Sequence, residues 1–105
     1  MSGNAYIQSL LEEAARLFGV QWAHLFTAQH HNREPWVIEA EYAIAYTLWI
    51  AQSTESLWKH VGRDVDIMSK ITACLRLRKQ SPKYDALVGD LVWFAQRLAL
   101  SGIAA

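Results

Sequence analysis

The densest chemistry in this sequence lies between Lys59 and Lys79, where Lys59, Arg63, Lys70, Arg76, Arg78 and Lys79 stand against only Asp64 and Asp66. Such a bias suits phosphate oxygens: Lys and Arg that neutralise them release condensed counterions, and helix N-termini add their own attraction for anions. Elsewhere the reactive residue types do not converge. His30, His31 and Glu34 have the composition of a metal site, but adjacent histidines point apart on a helix or strand, and a solvated loop is the simpler reading. His24 and His60 have aromatic or aliphatic neighbours and suit a core hydrogen bond better than catalysis. Glu39 and Glu41 are two apart, so on a helix they diverge and form no carboxylate pair for acid–base work. No Ser, Cys, Gly-rich or His/Asp arrangement builds a nucleophile or a phosphate cradle. The expectation is therefore not an enzyme, with no cofactor, no metal and no small-molecule substrate.

The elements that must position those cations are helical. The apolar residues Ile7, Leu10, Leu11, Ala14, Leu17 and Phe18 recur at three- and four-residue spacing, and Gly19 follows where a left-handed cap belongs. A short second helix is predicted over Val20 to Ala28 with Trp22, Leu25 and Phe26 inward, then a polar loop from Gln29 to Glu34. Pro35 suits the first turn of a third helix, about Pro35 to Gln52, which is almost wholly apolar from Tyr42 to Ala51 and reads as the central one. Ser53 or Thr54 caps a fourth helix through Val61, which Gly62 ends. Asp64 caps a fifth carrying Met68, Ile71, Leu75 and Cys74 inward, and Ser81-Pro82 opens a sixth with Leu87, Leu91, Phe94 and Leu98 on one face. Trp22, Trp49 and Trp93 fall in apolar patterns and are expected in the core, whereas Trp36 and Trp58 are expected to be partly exposed.

With 105 residues there is room for one core, so residues 1–105 are expected to form a single all-α domain of six helices. A composition 52% hydrophobic and 19% charged, with five Gly and two Pro, excludes disorder and low complexity. Ten basic residues balance ten acidic ones, yet residues 1–58 hold two Arg against six Glu and residues 59–105 hold eight basic groups against four Asp. Overall charge thus argues for no anionic partner, while the second half alone does. The lone Cys74 makes neither an internal disulfide nor a cysteine-based zinc site, which fits a reducing compartment. The start is acidic and amphipathic, unlike a signal peptide, and the longest apolar stretch, Ala43 to Ala51, is too short to span a bilayer. The chain is expected to be cytoplasmic and without a membrane partner.

Short helix, glycine turn, longer helix over about residues 54–79 is the arrangement of a helix-turn-helix, in which one helix braces the DNA backbone and the next enters the major groove. In order, YIQSLLEEAARLFGVQWAHLF, a polar loop, AEYAIAYTLWIA, SLWKHVGRD and KITACLRLRK resemble the C-terminal DNA-binding domain of the bacterial chromosomal replication initiator DnaA, a Trp-repressor-like helix-turn-helix. The resemblance covers nearly the whole chain and is sharpest at Gly62-Arg63-Asp64, followed by apolar Met68, Ile71 and Leu75. Where that family continues with His-Thr-Thr, this chain has Val65, Asp66 and Ile67. In place of the family's run of arginines before the central helix it offers His30, His31, Asn32 and Arg33. One glycine of the turn is missing, and Trp58 stands where the family has a small residue. The resemblance is to the DNA-binding domain alone, without the ATPase module, and the expectation is a stand-alone, divergent relative acting as competitor, partner or regulator in replication initiation or transcription.

The resemblance implies double-stranded DNA as partner. Val65, Asp66 and Ser69 would face the major groove, Lys59, Arg63 and Lys70 would hold phosphates, and Arg33 would reach the neighbouring minor groove. A carboxylate such as Asp66 is tolerable there only opposite a cytosine amino group or through a water. The alternative is a protein-interaction module that keeps the fold without the DNA site and uses Trp58 as anchor; it calls for an exposed apolar patch near the fourth and fifth helices in place of a continuous basic stripe. The apolar tail from Leu98 to Ala105 suits docking onto the body or a homodimer contact. If Arg63 holds a phosphate, Arg63→Ala weakens duplex binding across all sequences and lowers the slope of log K against log salt by about 1; parent-like binding in a salt titration removes that assignment.

Overall fold

A computed structural model describes residues 3–26, 34–51 and 66–100. Among the described residues there are α1 (Gly3–Phe18), a 3-10 turn (Trp22–His24), α2 (Pro35–Ile50), α3 (Ile67–Gln80) and α4 (Pro82–Leu100), and no strand. The described residues are all-α, as their periodicity implies. Six helices are not found among these residues. The segment read as a second helix forms only the three-residue turn, because Gln21 and Leu25 are extended on either side of it and Phe26 has a φ of +60°. The fourth predicted helix lies outside the described residues, and so do Trp58, His30 and His31.

Helix α2 is buried almost all round. Val37, Ile44 and Leu48 share its interior with Ala40, Ala43, Ala45, Thr47 and Glu41, and α1, α3 and α4 each pack against it. A helix apolar on every side is stable only inside a bundle, so α2 is the axis on which the other three are hung. Facing it are Leu10, Leu11 and Ala14 of α1, Ile67, Ile71 and Cys74 of α3, and Tyr84, Val88, Leu91, Ala95 and Leu98 of α4, all in one core. The Tyr84 hydroxyl donates to the Glu39 carbonyl at 2.7 Å and ties α4 to α2. No helix of the described residues is long and apolar enough to cross a membrane.

Several side chains expected in the core are on the surface. Trp22 belongs to a turn with no buried residue, Trp49 ends α2 beside exposed Ile50, and Trp93 is 59% exposed with the Arg97 guanidinium 4.8 Å above its ring. Trp93 is two residues past Leu91, about 200° round the helix from the buried stripe. Met68 and Leu75 likewise follow the inward residues Ile67 and Cys74 by one position each and turn about 100° away from the core. Leu87 and Phe94 are half-buried at the edge of the α4 stripe. Trp36 is exposed, as its place at a helix start suggests.

The helix ends follow from single residues. Gly19 takes a φ of +71°, which lets the Val20 amide donate to the Ala15 carbonyl at 3.0 Å, the closing bond of a Schellman motif. Pro35 occupies the first turn of α2. Ser81 ends α3 and starts α4: its amide donates to the Leu77 carbonyl, and its hydroxyl accepts from the Tyr84 amide at 3.1 Å. Because a Cβ at Gly19 would meet nothing within 4 Å, Gly19→Ala carries only the backbone cost of a left-handed alanine, about 1 kcal/mol. A lower denaturant midpoint with unchanged slope is expected; a midpoint equal to the parent's shows that the left-handed cap is not required.

Candidate nucleic-acid interface on helix α3

Helix α3 begins two residues later than an Asp64 cap requires. Its N-cap residue is Asp66, whose Oδ1 accepts from the Ser69 amide at 3.0 Å and whose Oδ2 accepts from the Ser69 hydroxyl at 2.6 Å. Those two bonds, the hydroxyl's first, hold the Asp66 carboxyl below its usual value. Both side chains are exposed, so the pair forms one polar, negatively charged tip at the start of the helix.

Lys70 is placed differently from its expected role on phosphate. Its side chain is only 15% exposed, and its Nζ lies 3.2 Å from Oε1 of Glu41, which is fully buried on α2. The ammonium also sits 5.7 Å from the ring centroids of Phe26 and Tyr42, an arrangement in which aromatic faces replace water around the cation. The other carboxylate oxygen of Glu41 accepts from the Phe26 amide at 2.6 Å. Arg78 is drawn in as well, hydrogen-bonded to Asp85 of α4 and lying 5.1 Å from the Tyr46 ring of α2. Two of the six cations between Lys59 and Lys79 therefore bind within the fold.

The outward face that remains is mixed. Met68 (58% exposed), Thr72, Leu75 (40% exposed) and Lys79 follow one another at spacings of four, three and four, with Ser69 and Arg76 alongside. This places them on one side of the helix over three turns. An open groove of about 570 Å³ separates this ridge from Tyr42 of α2. Arg33, Lys59, Arg63 and Val65 lie outside the described residues. Among the described residues no three His, Cys, Asp or Glu side chains are grouped so as to hold a metal ion. Cys74 is buried in the core, and that burial pushes its thiol up from its ordinary value.

Glu41, which forms no carboxylate pair with Glu39, has a different role in the buried stripe of α2. Its register gives it away: Val37, Glu41, Ile44 and Leu48 are spaced by four, three and four, so a carboxylate occupies the buried stripe of the central helix. Asp66 generates a pH prediction. A carboxyl held low in the folded state contributes stability that is present above its ordinary value and is lost as pH falls through the folded value. Asp66→Asn is expected to be less stable than the parent at neutral pH and to lose less on acidification; parallel curves of denaturant midpoint against pH refute the cap.

No family model matches the chain, and no curated protein or solved structure is significantly similar to it.

Proposed function

We propose that the chain is a small double-stranded-DNA-binding regulator that docks through the outer face of α3. The observation that carries this reading is the division of α3 into two faces. Ile67, Ile71 and Cys74 anchor one face in the core, while Ser69, Thr72, Arg76 and Lys79 stay on the surface along the other. A recognition helix needs that combination of a rigid back and a polar, cationic front. Arg76 and Lys79 take the phosphate role that Lys70, held by Glu41, gives up. The Asp66–Ser69 tip suits a base-edge amino group, the cytosine N4 donor being the natural partner of a carboxylate.

The resemblance to the initiator's DNA-binding domain supports the remaining roles: Lys59 and Arg63 on phosphates, Val65 at the major groove, Arg33 at the neighbouring minor groove. On this reading the protein acts in the cytoplasm and competes with or modulates replication initiation or transcription. A second reading, a protein-interaction module, is favoured by exposed Met68 and Leu75 on the same face. Apolar side chains there suit a protein partner better than a phosphate backbone.

A labelled random-sequence duplex titrated with the protein at several salt concentrations separates the two. The expected result is binding that falls steeply with salt, with Arg76→Ala and Lys79→Ala each lowering the salt slope by about 1. Absence of binding at low salt overturns the DNA reading and leaves the exposed apolar ridge as a protein-docking face.

A further inference from the structure

We infer that the Glu41–Lys70 ion pair is a positioning device that sets the pose of α3 on the bundle, and with it the direction in which the outer face of that helix points. The inference concerns the same face as the proposed function, but its core claim, that the pair fixes the helix, holds whether that face meets DNA or protein.

Three observations converge on the pair. Glu41 has no exposed surface, so its charge is removed from water completely. Its two oxygens go to different parts of the chain: Oε1 faces the Lys70 ammonium on α3, and Oε2 accepts from the Phe26 amide, next to the 3-10 turn. Phe26 is the one non-glycine among the described residues with a positive φ, +60°, a conformation that persists where surrounding structure over-determines it. The Phe26 ring in turn lies beside the Lys70 ammonium, with Tyr42 as the second aromatic face. One carboxylate thereby fastens α2, α3 and the turn that follows α1 to a common point.

Apolar packing of Ile67, Ile71 and Cys74 against α2 sets the crossing of the two helices within the range that side-chain repacking allows. A buried charge narrows that range, because displacing a partner removes part of its compensation. Replacing both members of a buried ion pair with well-packed apolar residues of similar volume is commonly neutral for stability, whereas removing one member is strongly destabilising because a buried charge is left behind. Stability and pose are therefore separable in this protein.

The test uses the full chain and the double variant Glu41→Gln with Lys70→Met. The glutamine oxygen still accepts from the Phe26 amide, and the methionine packs its thioether against the Phe26 and Tyr42 rings. The denaturant midpoint of Lys70→Met alone is expected to drop well below the parent's and that of the double variant to lie between the two, because a buried amide without an acceptor costs less than a buried carboxylate without its cation. Hydrogen exchange of the α3 amides is expected to accelerate by at least about tenfold more than that of α1 and α4 in the double variant. Where the parent binds duplex, the double variant is expected to bind about tenfold more weakly, a difference of ~1.4 kcal/mol. Unchanged α3 exchange, duplex binding as tight as the parent's, or failure of the double variant to fold overturns the inference. A parent that binds no duplex removes the DNA reading only, and the exchange measurement still decides the role of the pair.

Discussion

A carboxylate without contact to water must find its compensation inside the protein, and the arrangement around Glu41 follows from that requirement. Desolvation costs each ion of such a pair several kcal/mol, on the order of what its partner returns. The net gain is small, but the geometry it demands is strict. Lys70 has to reach inward from α3, the Phe26 amide has to face α2, and two aromatic rings have to enclose the ammonium. The placement of α3 on the central helix, and the sharp turn after α1, are the two features of the bundle that these contacts govern.

The rest of the frame is tied by local devices that leave little slack. Ser81 belongs to two helices at once, and the Arg78–Asp85 pair bridges the corner it makes. Tyr84 reaches from the first turn of α4 to a backbone carbonyl of α2, and that same tyrosine stacks obliquely on Phe18 at the end of α1. Helix α4 is thus oriented on α2 by the Tyr84 hydrogen bond at one end and by the apolar stripe from Val88 to Leu98 along its length.

What could be read from the sequence depended on whether a local rule was in force. Gly19, Pro35 and the Ser81-Pro82 pair each state a backbone condition, and each ends or begins a helix where it stands. The stripe of α1 was equally legible, because a 3.6-residue period selects one face, and α2 was legible as the central helix because its apolar residues run all round it. The tryptophans were not. An apolar pattern marks where a stripe runs without saying which large side chain falls at its edge, and Trp22, Trp49 and Trp93, which the pattern places in the core, lie outside it. The start of α3 was misplaced because Asp64 and Asp66 offer the same cap chemistry two residues apart, and only the bond from Ser69 distinguishes them. The inward turn of Lys70 had no local signal at all. Its partner is 29 residues away, and only a packed bundle brings the two together.

The distribution of indole rings has an optical consequence. Trp22, Trp36, Trp49 and Trp93, four of the five in the chain, are each about half exposed or more in the folded protein. Their emission already comes largely from hydrated rings, so loss of the fold changes their surroundings less than it would for indoles sealed in a core. Covering any one of them with a partner removes water from it directly. The emission of these four indoles is accordingly a gauge of the surface, more responsive to what settles on the bundle than to whether the bundle is intact.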